Sequence, residues 1–241
     1  MLIATVVEGP TDRIVLESLL ESFFPGKKRF LRLQPAETLG ELGSGWKGVR
    51  KWCIQSSPEN GLDLETLVGD GFGEPIDLLV IHLDGSVCWE EELQEELGGL
   101  GLIRECPPIQ PIASLLASLV QHWLLVEHLP QNVLLAIPAQ DTETWAFAAL
   151  FPDDPLCVRE DFECLRSGAD YPAYRLTLAR YRGLLSRHEG TIKKRISVYS
   201  ERIAPQIVER WRQVVSLCSQ AMEFDRRLQD LANGMGGEAH R

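Results

Sequence analysis

Apolar residues in the first half of the chain form short runs that alternate with stretches of helical periodicity. Three runs rich in Val, Ile and Leu predict buried β-strands at residues 2–7, 76–83 and 133–137. Residues 29–33 are a fourth candidate strand. After Thr11 the apolar residues recur at helical spacing as far as Pro25. This alternation predicts an α/β fold with a mostly parallel sheet flanked by helices.

The remaining predicted helices are separated by stretches rich in turn-forming residues. They lie near 49–54, 89–97 and 111–128, after residue 138, and from 205 onward. Residues 56–75 are rich in Gly, Pro, Asp and Asn, which predicts an irregular insertion. The glycine-rich segment 43–48 lacks the spacing of a Walker A loop. The sequence leaves open whether this segment contacts phosphate or only connects two elements.

Strand patterns stop near residue 155, and this predicts the organisation of the chain. Residues 1–155 are expected to form the α/β domain, 156–233 a helical extension packed on it or on a partner, and 234–241 a loose tail. In the extension the clearest helix begins after Pro205 and carries apolar residues on one face. No strand is expected beyond residue 155.

Composition and charge narrow the class of protein. Apolar residues make up 44% of the chain, enough for a packed core, and no apolar run approaches the ~20 residues of a membrane-spanning helix. The first residues lack the basic start of a secretory signal, so a cytoplasmic protein without membrane contact is expected. Six scattered cysteines without a C-x-x-C pair predict reduced, mostly buried thiols. The net charge of −11 argues against a broad nucleic-acid-binding surface but leaves room for local basic stretches.

Acidic residues follow three of the predicted strands, at the edge of a parallel sheet where ligands collect. Glu8 closes the first strand, Asp84 closes the strand at 76–83, Asp141 and Glu143 follow the last, and Asp12 lies one helical turn beyond Glu8. Carboxylates that converge repel one another, so a divalent cation between them stabilises the arrangement. Mg²⁺ or Mn²⁺ bound in this way is typical of phosphoryl transfer and phosphodiester cleavage.

Each of these acids also has a structural interpretation. Asp12 and Asp141 stand where acidic side chains stabilise helix N-termini, and this interpretation competes with metal binding. Asp84 before Gly85 is also typical of a turn. Capping fits Glu8 less well, because a Gly-Pro pair separates it from the following helix.

The segment Val7-Glu8-Gly9-Pro10-Thr11-Asp12 resembles the first motif of TOPRIM proteins, in which Glu-Gly joins a hydrophobic strand to a helix. A later strand ends in His82-Leu83-Asp84-Gly85, where TOPRIM proteins carry an Asp-x-Asp pair. Within that family the chain is similar to short prokaryotic TOPRIM-like proteins, whose Pro…Glu-x-Trp segment resembles residues 137–145. It is more distantly similar to the nuclease half of OLD-family proteins. The resemblance covers about residues 1–150 and implies a TOPRIM-like α/β domain.

His82 occupies the position where the resemblance implies the first Asp of the pair. Two residues apart on a strand, His82 and Asp84 face the same side. Imidazole suits Mn²⁺ better than Mg²⁺. Three outcomes stay open: a preference for Mn²⁺, one metal ion in place of two, or loss of activity. A lone strand histidine is otherwise typical of a packed core.

The resemblance implies a nuclease that depends on Mg²⁺ or Mn²⁺. Its expected metal ligands are Glu8, Asp12, His82, Asp84 and Glu143. Its expected catalytic residues are Glu8, which transfers a proton, Asp84, and a cation that offsets charge on the phosphate, Lys193 with Lys194 as the alternative. The basic residues expected to contact nucleic acid are Lys27, Lys28, Lys47, Lys194 and Arg195.

Partners and competing functions follow from the same resemblance. DNA is favoured over RNA as the substrate, in phage defence or DNA repair. OLD-type nucleases carry an ATPase half, and this sequence has no Walker loop, so a separate ATPase partner is expected. A homodimer is left open. Two alternatives remain: a binding or scaffold module with a degenerate TOPRIM site, and a phosphoesterase for small substrates, which would suit the acidic charge.

Overall fold

A four-stranded, entirely parallel sheet organises the first part of the protein. The computed structural model describes residues 1–35, 43–60, 64–69, 73–99 and 105–238. The strands are β1 (Leu2–Val6), β2 (Arg29–Gln34), β3 (Leu78–His82) and β4 (Val133–Ala136), in the order β2-β1-β3-β4. The predicted α/β class with a parallel sheet is confirmed. Because β1 lies between β2 and β3, the carboxyl ends of β1 and β3 are neighbours.

Six helices accompany this sheet among the described residues. They are α1 (Pro10–Phe23), α2 (Gly45–Gln55), α3 (Leu64–Gly69), α4 (Glu91–Gly99), α5 (Gln110–Leu124) and α6 (Thr142–Leu150). The prediction that residues 56–75 are irregular is wrong for α3. That helix is too short to display a period, yet it buries Leu64, Leu67 and Val68 in the core.

Both faces of the sheet are covered, so its strands are apolar at nearly every position. Ile3 faces one core, which contains α1, α6 and the C-terminal helices. Ala4 and Val6 face the other core, which is filled by α2, α3 and α5. The core on the first side also includes Trp145 and Phe224, so the C-terminal region packs directly on the sheet domain.

The region from residue 156 to 238 contains short elements and three consecutive helices. These elements are α7 (Pro172–Arg175), β5 (Ser186–His188), β6 (Thr191–Lys193), α8 (Ile196–Val198), a π-helical turn (Tyr199–Ile203), α9 (Ala204–Glu209), α10 (Trp211–Leu217) and α11 (Ser219–Glu238). The helix predicted after Pro205 is therefore divided at Arg210 and Cys218. The last helix runs into the segment 234–241 that the sequence predicted to be loose; residues 239–241 lie outside the described ranges.

The prediction of no strand beyond residue 155 is wrong, because β5 and β6 form an antiparallel hairpin. Its turn contains Glu189 and Gly190, both with positive φ (49° and 82°), as two-residue hairpin turns require. Each strand is only three residues long and mostly exposed, so the sequence shows no alternation of apolar and polar positions from which the hairpin could be predicted.

The cysteines depart from the prediction of reduced thiols in one respect. Cys106 and Cys164 are joined by a disulfide that links the segment before α5 to the C-terminal region. The other four, Cys53, Cys88, Cys157 and Cys218, are free and buried, as the sequence predicts. Among the described helices, none combines the length and apolar character needed to cross a bilayer.

Candidate metal centre and its acidic surroundings

Three potential metal ligands meet at the carboxyl edge of the sheet. Glu8 follows β1, His82 ends β3, and Asp84 lies two residues further on. One ligand atom from each side chain can be chosen so that all three lie within 4.8 Å of one another. Because Val6 pairs with Ile81 in the sheet, the two chain segments leave it side by side. The sheet therefore brings together residues more than 70 positions apart in sequence.

Backbone contacts fix the position of Asp84 on both sides. Its amide donates a hydrogen bond of 2.7 Å to Oε1 of Glu8. The next amide, that of Gly85, donates to the carbonyl of Pro138 at 2.9 Å, and the Ser86 amide donates to the carbonyl of Gln140 at 3.0 Å. The Asp84 segment is thus held between the end of β1 and the loop that joins β4 to α6.

His82 is fully buried, and its surroundings suit a metal ion. Its Nε2 lies 3.4 Å from Oδ1 of Asp84, longer than the about 2.7–3.2 Å of a normal N–H···O hydrogen bond. Neither ring nitrogen, nor Oδ1 of Asp84, has a hydrogen-bond partner within the described part of the chain. Buried polar atoms are rarely left unpaired, so their combination points to a bound group.

The spacing of the three side chains also fits one ion. Nitrogen and oxygen ligands bind such ions at roughly 2.0–2.2 Å, so two ligands of one ion are at most about 4.4 Å apart. The separations in this cluster, within 4.8 Å, approach that limit. Movements of a few tenths of an ångström would close the cluster on one cation.

The electrostatics of the cluster reflect crowding of like charges in a buried place. Burial and the neighbouring carboxylate of Asp84 raise the pKa of Glu8 to about 8. Burial lowers the pKa of His82, but the surrounding carboxylates, Asp84 foremost, together raise it to about 9. Both shifts have the direction that favours bound protons at this acidic site, as crowded carboxylates require in the absence of another cation.

A second group of acids lies beside this cluster, at the start of α6. Asp12 accepts a hydrogen bond of 2.7 Å from the hydroxyl of Thr142, and burial raises its pKa. Asp141 caps α6 by accepting from the amide of Thr144 at 3.1 Å, which agrees with its structural interpretation. Glu143, in the first turn of α6, is fully buried. These acids come from α1 and α6, whereas the ligand cluster comes from β1 and β3.

Three side chains of the C-terminal region contact these acids. The hydroxyl of Tyr171 donates to Asp141, and that of Tyr199, in the π-helical turn, donates to Glu143. Nζ of Lys194 lies 2.8 Å from Oε2 of Glu143. π-Helical turns are frequent at functional sites, and this one directs a phenol into the acidic group.

Lys194 is the cation that lies beside these acids. Its Nζ points inward to Glu143, and its side chain is 31% exposed. Burial lowers the pKa of Lys194, but nearby carboxylates, Glu143 foremost, outweigh this and raise it. The sequence favours Lys193 as the cation of the site, with Lys194 as the alternative. Lys193 is exposed on β6, where it pairs with Ser186. Adjacent residues of an extended segment point in opposite directions, so only one of the two reaches the acids.

The expected metal ligands thus fall into two sets. Glu8, His82 and Asp84 form the compact cluster. Asp12 does not belong to that cluster, although its charge acts on Glu8. The two oxygens of Glu143 are engaged by Lys194 and Tyr199.

The other basic residues expected to contact nucleic acid are dispersed. Lys27 and Lys28 precede β2, at the opposite edge of the sheet from Glu8, and Nζ of Lys28 donates to backbone carbonyls at the end of α1. Lys47, in the first turn of α2, forms an exposed ion pair with Glu92 at 2.6 Å. Arg195 is exposed at the start of α8. The structure does not bring these four together.

Tyr171 and Tyr199 are site residues that the sequence did not indicate. Each is a single tyrosine in a region without a recognisable motif, and each reaches its acid only through the tertiary fold. The glycine-rich segment 43–48 contacts β2, because the carbonyl of Gly43 accepts a hydrogen bond of 2.7 Å from the side chain of Gln34; residues 36–42, which precede it, lie outside the described residues.

Comparisons of this chain with protein-family models, with curated proteins and with solved structures found no match.

Proposed function

We propose that this protein binds one divalent cation through Glu8, His82 and Asp84 and hydrolyses phosphodiester bonds of nucleic acid. The observation that carries the proposal is the convergence of three ligand atoms within 4.8 Å at the carboxyl edge of a parallel sheet. The atoms without partners in His82 and Asp84 support the same interpretation. The imidazole favours Mn²⁺ over Mg²⁺.

The resemblance to TOPRIM proteins adds support. Glu8 of the Glu-Gly motif and Asp84 of the later motif each follow the end of a strand, β1 and β3, and these strands are adjacent. We retain the TOPRIM-like assignment as part of the proposal, together with a separate ATPase as partner. DNA is the proposed substrate in preference to RNA, and a cytoplasmic location is proposed with it.

A divalent ion in this place would supply Lewis-acid polarisation of a phosphoryl oxygen. The chain's own residues would supply orientation and proton transfer. Oε1 of Glu8 accepts from the Asp84 amide, which leaves Oε2 as the oxygen able to take a proton from an attacking water. Lys194 would compensate the negative charge of Glu143 beside the cluster, so that this acid does not repel the phosphate.

The test is a cleavage assay with supercoiled plasmid, single-stranded DNA and RNA, each with Mn²⁺, Mg²⁺ or EDTA. Glu8→Gln and Asp84→Asn should each abolish cleavage, because each removes a ligand charge while preserving side-chain size. Glu127→Gln and Asp153→Asn, the same substitutions at exposed positions, should cleave like the wild type.

Several results would contradict the proposal. Cleavage that survives in EDTA or in Asp84→Asn would exclude the centre as its origin. Stabilisation by Mn²⁺ without cleavage of any substrate would favour a binding module with a degenerate site. Hydrolysis of p-nitrophenyl phosphate alone would favour a phosphoesterase for small substrates.

A further inference from the structure

A basic segment in the C-terminal region contrasts with the acidic character of the whole chain. Residues 165–195 contain eight Lys and Arg residues against two acidic residues, in a protein of net charge −11. Arg175 and Lys194 are ion-paired with carboxylates. The other six have no carboxylate partner within the described residues: Arg166, Arg180, Arg182, Arg187, Lys193 and Arg195. The segment therefore presents uncompensated positive charge.

Aromatic rings contact two arginines of this segment without neutralising their positive charge. The guanidinium of Arg166 lies 3.9 Å from the ring centroid of Trp89, and that of Arg187 lies 5.4 Å from the centroid of Tyr174. Cation–π contacts restrict the side chains while the N–H groups remain available to an anion. Both arginines are exposed.

These two arginines line one groove of about 450 Å³, together with Tyr171, Tyr174 and Ile192. A volume of this size lies within the range of ligand-binding clefts, about 300–1,000 Å³. The backbone of Ser167, Gly168 and Ala169 forms a further part of its wall.

The groove shares its wall with the acidic surroundings of the candidate metal centre. Tyr171 lines the groove and donates its hydroxyl to Asp141. Ile192 lines the groove from β6, and two residues further on Lys194 reaches Glu143. The side chain of Tyr171 therefore connects the groove to the acidic residues that surround the centre.

From this arrangement we infer that the groove between Arg166 and Arg187 binds the sugar–phosphate backbone of a single-stranded nucleic acid. The inference rests on the proposed nuclease function, because it names the surface that holds the substrate. Arginine forks bind phosphate through paired N–H groups, and single-strand-binding proteins combine such cations with aromatic side chains on which bases stack. Tyr171 and Tyr174, both half-buried, are the aromatic residues of this groove. The small anion of a phosphomonoester would need only one of the two arginines.

Binding is measured by fluorescence anisotropy of a labelled single-stranded oligonucleotide in EDTA, so that the metal centre makes no contribution. The double variant Arg166→Gln/Arg187→Gln should bind about tenfold more weakly or worse. The slope of log affinity against log salt should fall in magnitude by about 1.4, since each phosphate contact to a single strand accounts for ~0.7.

The matched control is Arg226→Gln/Arg227→Gln on α11. It changes net charge by the same amount, but both of its arginines are paired with Glu223. This control should bind like the wild type. Because Arg166 and Arg187 are exposed, the variants should retain the wild-type unfolding midpoint; if the double variant does not, the single variant Arg187→Gln takes its place.

Equal binding by the wild type and the groove variant, an equal loss in the control, or no binding by the wild type would each overturn the inference. The outcome is separable from that of the nuclease proposal. Arginine-dependent binding without metal-dependent cleavage would leave the groove assigned and the nuclease proposal refuted. Metal-dependent cleavage with an unchanged KM in the groove variant would support the nuclease proposal and refute the assignment of the groove.

Discussion

The substitution Gly85→Ala tests whether the loop after β4 is packed against the Asp84 segment. A Cβ atom on Gly85 would lie 1.9 Å from the carbonyl oxygen of Ala139 and 2.8 Å from that of Pro138. Ordinary C···O contacts begin near about 3.3 Å, so one of the two segments must move by roughly 1.4 Å. Both oxygens belong to the backbone, and no rotation of a side chain can relieve the overlap.

The magnitude follows from what this movement breaks. The displaced loop loses the hydrogen bonds from the amides of Gly85 and Ser86, each worth about 0.5–1.5 kcal/mol. Overpacking adds about 1–3 kcal/mol. We expect the free energy of unfolding to fall by about 2–6 kcal/mol, a large part of the roughly 5–15 kcal/mol typical of a domain. Affinity for Mn²⁺ should fall as well, since Asp84 moves with its neighbour.

Urea denaturation followed by far-UV circular dichroism measures the change. Gly234→Ala is the matched control, because it lies within α11 and a Cβ there meets no described atom within 4 Å. Alanine at that helical position should stabilise the protein by about 0.5–1 kcal/mol. An unchanged urea midpoint for Gly85→Ala would refute the described packing of the loop.

Two further predictions concern the charges of the centre. In EDTA, the pKa values of Glu8 (about 8) and His82 (about 9) in the folded protein lie above their ordinary values of 4.5 and 6.5, so the folded state binds more protons than the unfolded state in this pH range. The free energy of unfolding should therefore fall by several kcal/mol from about pH 5 to pH 9, because a pKa difference of one corresponds to about 1.4 kcal/mol. Glu8→Gln should gain stability relative to the wild type over this range, and a difference between the two that does not change with pH would contradict the raised pKa of Glu8. Lys194→Met should destabilise the metal-free protein by about 1–3 kcal/mol, because Glu143 loses its cation, and Mn²⁺ should restore more stability to it than to the wild type. Thermal unfolding with and without Mn²⁺ checks this, with Lys193→Met as an unaffected control; equal losses in both variants would contradict it.

The sheet and its acidic edge could be predicted because they depend on local signals. Buried parallel strands are continuous apolar runs, and Glu8 and Asp84 stand where those runs end. The identity of the inward-facing lysine could not be predicted in the same way. Side chains alternate in direction along an extended segment, so a shift of one residue in β6 decides whether Lys193 or Lys194 faces the acids.

Long-range partners were also beyond the sequence. The disulfide joins cysteines 58 positions apart, and no spacing rule indicates that pairing. Tyr199 meets Glu143 only because α6 and the π-helical turn pack on the same side of the sheet. A single sequence contains no signal for a contact of that kind, since each partner taken alone is an ordinary buried residue.

The packing of the C-terminal region on the sheet limits how the protein can be shortened. A chain ending at residue 155 would keep Glu8, His82 and Asp84 but would lose the hydroxyls and the ammonium that engage Asp141 and Glu143. It would also uncover Trp145, which is fully buried against Trp211 and Phe224. The sheet portion is therefore unsuited to excision by itself, and transplanting the centre with its acidic surroundings to another scaffold would require both ends of the chain.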